Sequence, residues 1–155
     1  MTFFKFLFKN SQVKCPRCLG KTFVDWDDIE RLNKVLKWTP APCAYCVGKG
    51  KVFKEMLSQV PVDYTYLTID LPESEMEKIK EGHKETLEKG RLHELFFDHL
   101  IKFAEQHYLN SKKDAAYIAD LYLSTENESA PFSVERKNLI QYFERVIKLK
   151  KSELN

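Results

Sequence analysis

Four cysteines, Cys15, Cys18, Cys43 and Cys46, fall in two C-x-x-C pairs with twenty-four residues between them, and the chain has no others. A C-x-x-C turn presents two thiolates to one side of the backbone, so two such turns brought together complete the tetrahedron of sulfurs that zinc accepts at about 2.3 Å. This forces residues 15–50 to fold back on themselves. Gly20 and Gly48 stand two positions after each pair, where a chain turning beneath a metal needs positive φ or close backbone approach. Four thiolates leave no coordination position for water or substrate, so the expected cofactor is one structural zinc ion. In a reducing compartment such pairs point to metal more readily than to a disulfide framework.

Residues Cys43-Ala44-Tyr45-Cys46-Val47-Gly48-Lys49-Gly50 match the whole C-x-x-C-x-G-x-G repeat of the cysteine-rich domain of DnaJ-type chaperones. Residues 15–22 match it except that Thr22 stands where the last glycine belongs. Over residues 15–50, about a quarter of the chain, the sequence resembles that module. The family has four repeats forming two zinc sites, and this chain has enough for one. The His-Pro-Asp triplet of a J-domain is missing, so the resemblance implies a small DnaJ-related zinc protein with a chaperone-accessory or protein-interaction role and no J-domain activity. The Cys-Pro-x-Cys start is also similar to rubredoxin knuckles, which keeps an iron redox site as an alternative. Zinc is preferred because it is redox-silent and nothing else in the sequence suggests an electron-transfer partner.

With 155 residues, 43% hydrophobic and 31% charged, the chain has the composition of a soluble globular protein of about one domain. A formal net charge of +2 creates no global field towards nucleic acid or membrane. Residues 1–24 carry five basic side chains and no acid beforehand of Asp25, while residues 73–94 are rich in Glu. No apolar run approaches the roughly 20 residues that span a bilayer. The aromatic start, with Phe3, Phe4, Phe6, Leu7 and Phe8, is interrupted by Lys5 and lacks a cleavage site, so a cytoplasmic location is expected. That start is expected to dock on the body, or else on a membrane surface or partner.

Apolar periodicity predicts a helix over residues 25–37 through Ile29, Leu32, Val35 and Leu36, stopped by Thr39-Pro40-Ala41-Pro42. Residues 51–58 read as strand or helical turn, and residues 60–71 as extended, because Val62, Tyr64, Tyr66, Thr68 and Ile69 favour strand geometry. A helix is predicted from Glu73 to about Leu87 with a break at Gly90, then another over residues 91–108. Ser111 with Asp114 reads as a capping box opening a helix with Ala115, Ile118, Ala119, Tyr122 and Leu123. A loop over residues 124–131 and a last helix over residues 133–151 complete the chain. The fold class is therefore mainly α with a small β zinc-hairpin element, organised as residues 1–58 (arm and knuckle module) and 59–155 (extended segment and helical body).

Other candidate chemistry is weaker. His83, His93, His99 and His107 lack the spacing of a second metal site and read as packing or surface residues. Asp27 with Asp28, and Glu73, Glu75 and Glu77, lie where helix N-termini attract acids. No phosphate loop or nucleophile elbow is present, and the chain is not expected to be an enzyme. Arg17, Lys21, Lys49, Lys51 and Lys54 near Trp26, Trp38, Tyr45 and Phe53 could form a single-strand nucleic-acid platform. The alternative is that these aromatics cover a small zinc core while the lysines keep it soluble. The expected function is thus a non-catalytic protein-interaction module, with nucleic-acid binding as the alternative.

Overall fold

The computed structural model describes residues 11–126 and 134–155. The chain divides into two compact units between Arg91 and Leu92. Expectations for the aromatic start and for most of the loop over residues 124–131 lie outside the described residues. The architecture is mainly α with a small β element around the four cysteines.

In the first unit, strand β1 (Gln12–Lys14) precedes the first cysteine pair and β2 (Phe23–Val24) follows it. Strand β3 (Ala41–Pro42) precedes the second pair and β4 (Lys51–Phe53) follows it. Pairing is crossed and antiparallel: β1 with β4, placing Val13 opposite Val52, and β2 with β3, placing Val24 opposite Ala41. Each knuckle therefore enters through one ribbon and leaves through the other. The two halves are related by an approximate two-fold exchange.

Between the knuckles lies helix α1 (Trp26–Arg31), shorter than its periodicity predicted. Asp25 caps it and Asp28 answers in a reciprocal capping box. Its end is set by Asn33 at φ 59°. The Asn33 N–H donates to the Glu30 carbonyl at 3.0 Å and the Lys34 N–H to the Ile29 carbonyl at 2.8 Å, the two bonds of a Schellman stop. Val35 and Leu36 keep helical spacing in sequence only.

After β4 comes the single turn α2 (Met56–Gln59), so residues 51–58 supply both a strand and a helical turn. Residues 60–71 are not a strand but a run of turns, with the Tyr64 N–H donating to Pro61 and the Leu67 N–H to Tyr64. Val60 and Leu67 are buried there, with Ile29, Trp38, Tyr45, Val52 and Ile79, around the cysteines.

Helix α3 (Glu73–Lys80) ends at Gly82, not at Gly90. Gly82 takes φ 75°, and the His83 N–H reaches back to the Lys78 carbonyl at 3.0 Å. Helix α4 (Lys84–Ser111) runs without interruption through Gly90. A Cβ on Gly90 would meet the Tyr64 hydroxyl at 1.8 Å. Glycine is there for space: the Tyr64 ring lies against the helix and its hydroxyl donates to the Thr86 carbonyl at 2.9 Å.

The second unit contains the remainder of α4, helix α5 (Ala115–Thr125) and helix α6 (Arg136–Glu153). Ser111 is the last residue of α4, and Asp114 alone caps α5 by accepting the Tyr117 N–H at 2.8 Å. Buried Leu100, Ala104, Ile118, Ala119, Tyr122, Leu139, Phe143 and Val146 form the interior. Phe103 stands edge-on to Tyr122 at 5.3 Å, an arrangement that favours aromatic pairs beyond simple area burial. His107 lies tilted against Phe103 at 4.5 Å and His93 edge-on to Phe97 at 4.8 Å, so these histidines pack as expected.

Candidate metal centre

The crossed strands bring Cys15, Cys18, Cys43 and Cys46 to one buried point, their sulfurs all within 4.8 Å of one another. Cys15 Sγ lies 3.8 Å from Cys43 Sγ, and Cys18 Sγ lies 3.8 Å from Cys46 Sγ. A tetrahedron with metal–sulfur bonds of about 2.3 Å has edges of about 3.8 Å. A disulfide needs about 2.05 Å, so no pair is bridged. Among the described residues this is the one group with metal-ligand geometry.

The two knuckles are built alike. Leu19, Gly20 and Thr22 take φ of 51°, 82° and 71°, and Val47, Gly48 and Gly50 take 52°, 69° and 72°. This repeated left-handed pattern turns backbone N–H groups towards sulfur. The Gly50 N–H donates to Cys46 Sγ at 3.2 Å, and the Thr22 N–H serves Cys18 in the same way. The strands close symmetrically: the Cys15 N–H donates to the Gly50 carbonyl at 2.8 Å and the Cys43 N–H to the Thr22 carbonyl at 2.9 Å. Leu19 and the β-branched Val47 are strained in this region, and the surrounding bonds hold them there. Gly50 has a further reason to lack a side chain, since a Cβ would stand 2.8 Å from the Gly20 carbonyl oxygen.

The sulfurs are electrostatically linked. The Cys43 thiol bonds to Cys15, which holds Cys15 down at about 5 and pushes Cys43 up. Burial raises Cys18. Metal binding displaces such protons, which is how thiolate sites couple affinity to pH.

Arg17, between the first two ligands, is 3% exposed. Its Nε donates to the Val62 carbonyl at 2.8 Å, Nη1 to Leu67 at 2.7 Å and Nη2 to Tyr64 at 3.0 Å. The guanidinium lies over Trp38 at 4.4 Å and over Tyr45 at 5.2 Å. Trp38 Nε1 donates to the Thr65 carbonyl and the Tyr45 hydroxyl to Val60. Three knuckle-region side chains thus engage five carbonyls of residues 60–67, which explains why that segment coils instead of pairing as a strand. Burial lowers Arg17 to about 10, opposed by Cys43 and Cys15, so it remains cationic at neutral pH beside the sulfurs.

Of the basic and aromatic residues expected near the knuckles, Arg17, Trp38 and Tyr45 are therefore interior. Lys21 is engaged by Asp25 and by buried Asp28 at 2.8 Å, and Asp28 also meets Arg31 at 3.0 Å. Trp26 and Phe53 remain exposed, with Lys49, Lys51 and Lys54. A hydrogen-bonding role for Arg17 was not read from sequence; its place inside a ligand turn beside interior aromatics was the available signal.

Comparison with protein-family models, with curated proteins and with solved structures gave no match. No helix among the described residues is long and apolar enough to cross a membrane.

Proposed function

We propose that the chain is a non-catalytic zinc module in which one structural ion held by Cys15, Cys18, Cys43 and Cys46 stiffens a surface that binds another polypeptide. The observation that carries this is the set of four buried sulfurs within 4.8 Å of one another, two of their separations at the 3.8 Å edge of a metal–thiolate tetrahedron. Zinc would supply a closed-shell cross-link and no vacant coordination position. Iron also accepts four tetrahedral sulfurs, and the metal's identity is decided by elemental analysis.

The surface about the knuckles supports the binding half of the reading. Leu19 and Val47, at equivalent knuckle positions, are 45% and 47% exposed, and Phe23, Phe53 and Trp26 are exposed as well. Apolar side chains held out on a rigid scaffold suit a protein partner. A nucleic-acid platform has less to work with, because Arg17, Trp38 and Tyr45 are committed to the interior. A chaperone-accessory role in a reducing compartment such as the cytoplasm fits both the resemblance of the repeats and free thiolate ligands.

The test is elemental analysis of the purified protein together with affinity capture. One zinc per chain is expected. A partner captured by the wild type should be lost with Cys43→Ser, and also with Leu19→Lys plus Val47→Lys at unchanged zinc content. A ferric-thiolate visible spectrum would replace zinc by iron, and a partner held equally well after zinc removal would overturn the binding role.

A further inference from the structure

The second unit carries a groove of about 510 Å³ between the end of α4, the start of α5 and the face of α6 from Ile140 to Lys151. Four lysines line it: Lys112 and Lys113 on one side, Lys148 and Lys151 on the other. Its apolar lining includes Ile140 and Ile147. Two carboxylates, Asp114 and Glu144, share the lining, so the four lysines leave an excess of positive charge. Positive charge at the rim and aliphatic carbons beneath define the chemistry of an occupant.

We infer that this groove binds an acidic amphipathic peptide segment of another protein, its carboxylates meeting the lysines and its apolar side chains lying along Ile140 and Ile147. A carboxylate-rich peptide is favoured over single-stranded nucleic acid by the state of the aromatic rings. Lys112 sits over the Tyr108 ring at 4.8 Å and Lys151 at 5.7 Å, while Lys113 covers Tyr117 at 4.7 Å. Of these rings only Tyr108 lines the groove, and two ammonium groups lie over it, so the groove does not offer the succession of open aromatic faces on which sequence-tolerant single-strand binding depends. This interaction is distinct from the knuckle surface, so it goes beyond the function proposed above.

The experiment is fluorescence anisotropy of the full chain with a fluorescein-labelled peptide of repeated Glu-Glu-Leu, compared with its Gln-Gln-Leu counterpart and with an oligothymidylate of equal charge. The acidic peptide should bind, weaken with salt, and lose about tenfold or more in affinity with Lys148→Glu plus Lys151→Glu, since reversing charges at a complementary site costs more than removing them. Lys102→Glu plus Lys137→Glu, outside the groove, should change it less than about twofold. Zinc content and circular dichroism measured in parallel should be the same in every variant, which separates failure here from failure of the metal reading. The inference is overturned by undetectable peptide binding, by tighter binding of the oligothymidylate, by indifference to Lys148 and Lys151, or by a groove-dependent dimer in sedimentation that makes a second copy the occupant.

Discussion

Thr22 and Gly50 hold equivalent places in the two knuckles, with φ of 71° and 72°, yet only Gly50 has a carbonyl where a Cβ would go. The pair separates two reasons for glycine. Thr22→Gly removes a left-handed strain of about 1–2 kcal/mol and adds a glycine entropy cost of about 0.5–1 kcal/mol. A change within about 1 kcal/mol is expected, on the stabilising side. Gly50→Ala incurs the left-handed cost and also pushes against the Gly20 oxygen, so it should lose at least about 2 kcal/mol. Denaturant unfolding at saturating zinc measures both; equal effects would remove the steric argument.

Arg17 is a buried cation whose hydrogen bonds go to carbonyls rather than to a carboxylate. Lysine cannot reproduce three divergent planar bonds or the stacking on Trp38, so Arg17→Lys should cost about 2–3 kcal/mol despite conserving charge. Arg17→Ala should cost more, because the carbonyls of Val62, Tyr64 and Leu67 lose this donor together. Tryptophan fluorescence during denaturation, in a Trp26→Phe background that leaves Trp38 as the sole tryptophan, reads the loss. Retention of wild-type stability by Arg17→Lys would show that charge alone matters.

The ligands were legible because C-x-x-C spacing is a local chemical constraint. What escaped prediction depended on partners distant in sequence. Residues 60–71 have strand-forming side chains, but β propensity describes fit to a pleated surface, and here the carbonyls are taken by Arg17, Trp38 and Tyr45. Val35 and Leu36 continued a helical rhythm past Asn33, whose left-handed turn had already ended α1. Gly90 was read as a conformational break when its role is to leave room, while Gly82, at φ 75°, supplied the break.

Gly90 gives a prediction opposite to helix propensity. In an exposed helix interior Gly→Ala gains about 1 kcal/mol, but here the new methyl group would overlap the Tyr64 ring, with Cζ at 2.0 Å. Gly90→Ala should destabilise by about 2 kcal/mol or more as the ring is expelled. In a Tyr64→Ala background the same substitution should become neutral or stabilising. A double-mutant cycle by thermal unfolding checks this, and additive effects would show that the two residues do not share the space.

Removal of metal should act first on residues 15–53, which are held by short two- and three-residue strands and by the sulfur cluster. Such small ribbons are marginal without a cross-link, and binding free energy at a structural site is folding free energy. Protons compete with the ion for thiolates, so acidification should release it as chelators do. The expected result is loss of dispersed amide signals from Cys15, Cys18, Cys43, Cys46 and their neighbours. Much of the helical ellipticity should remain, because the buried Leu100, Ile118, Tyr122 and Phe143 core contains no cysteine. Two-dimensional amide spectra and circular dichroism on chelation follow the two signals separately. Retention of the knuckle signals in metal-free protein would mean that packing around Tyr45 and Arg17, rather than the ion, holds this unit together.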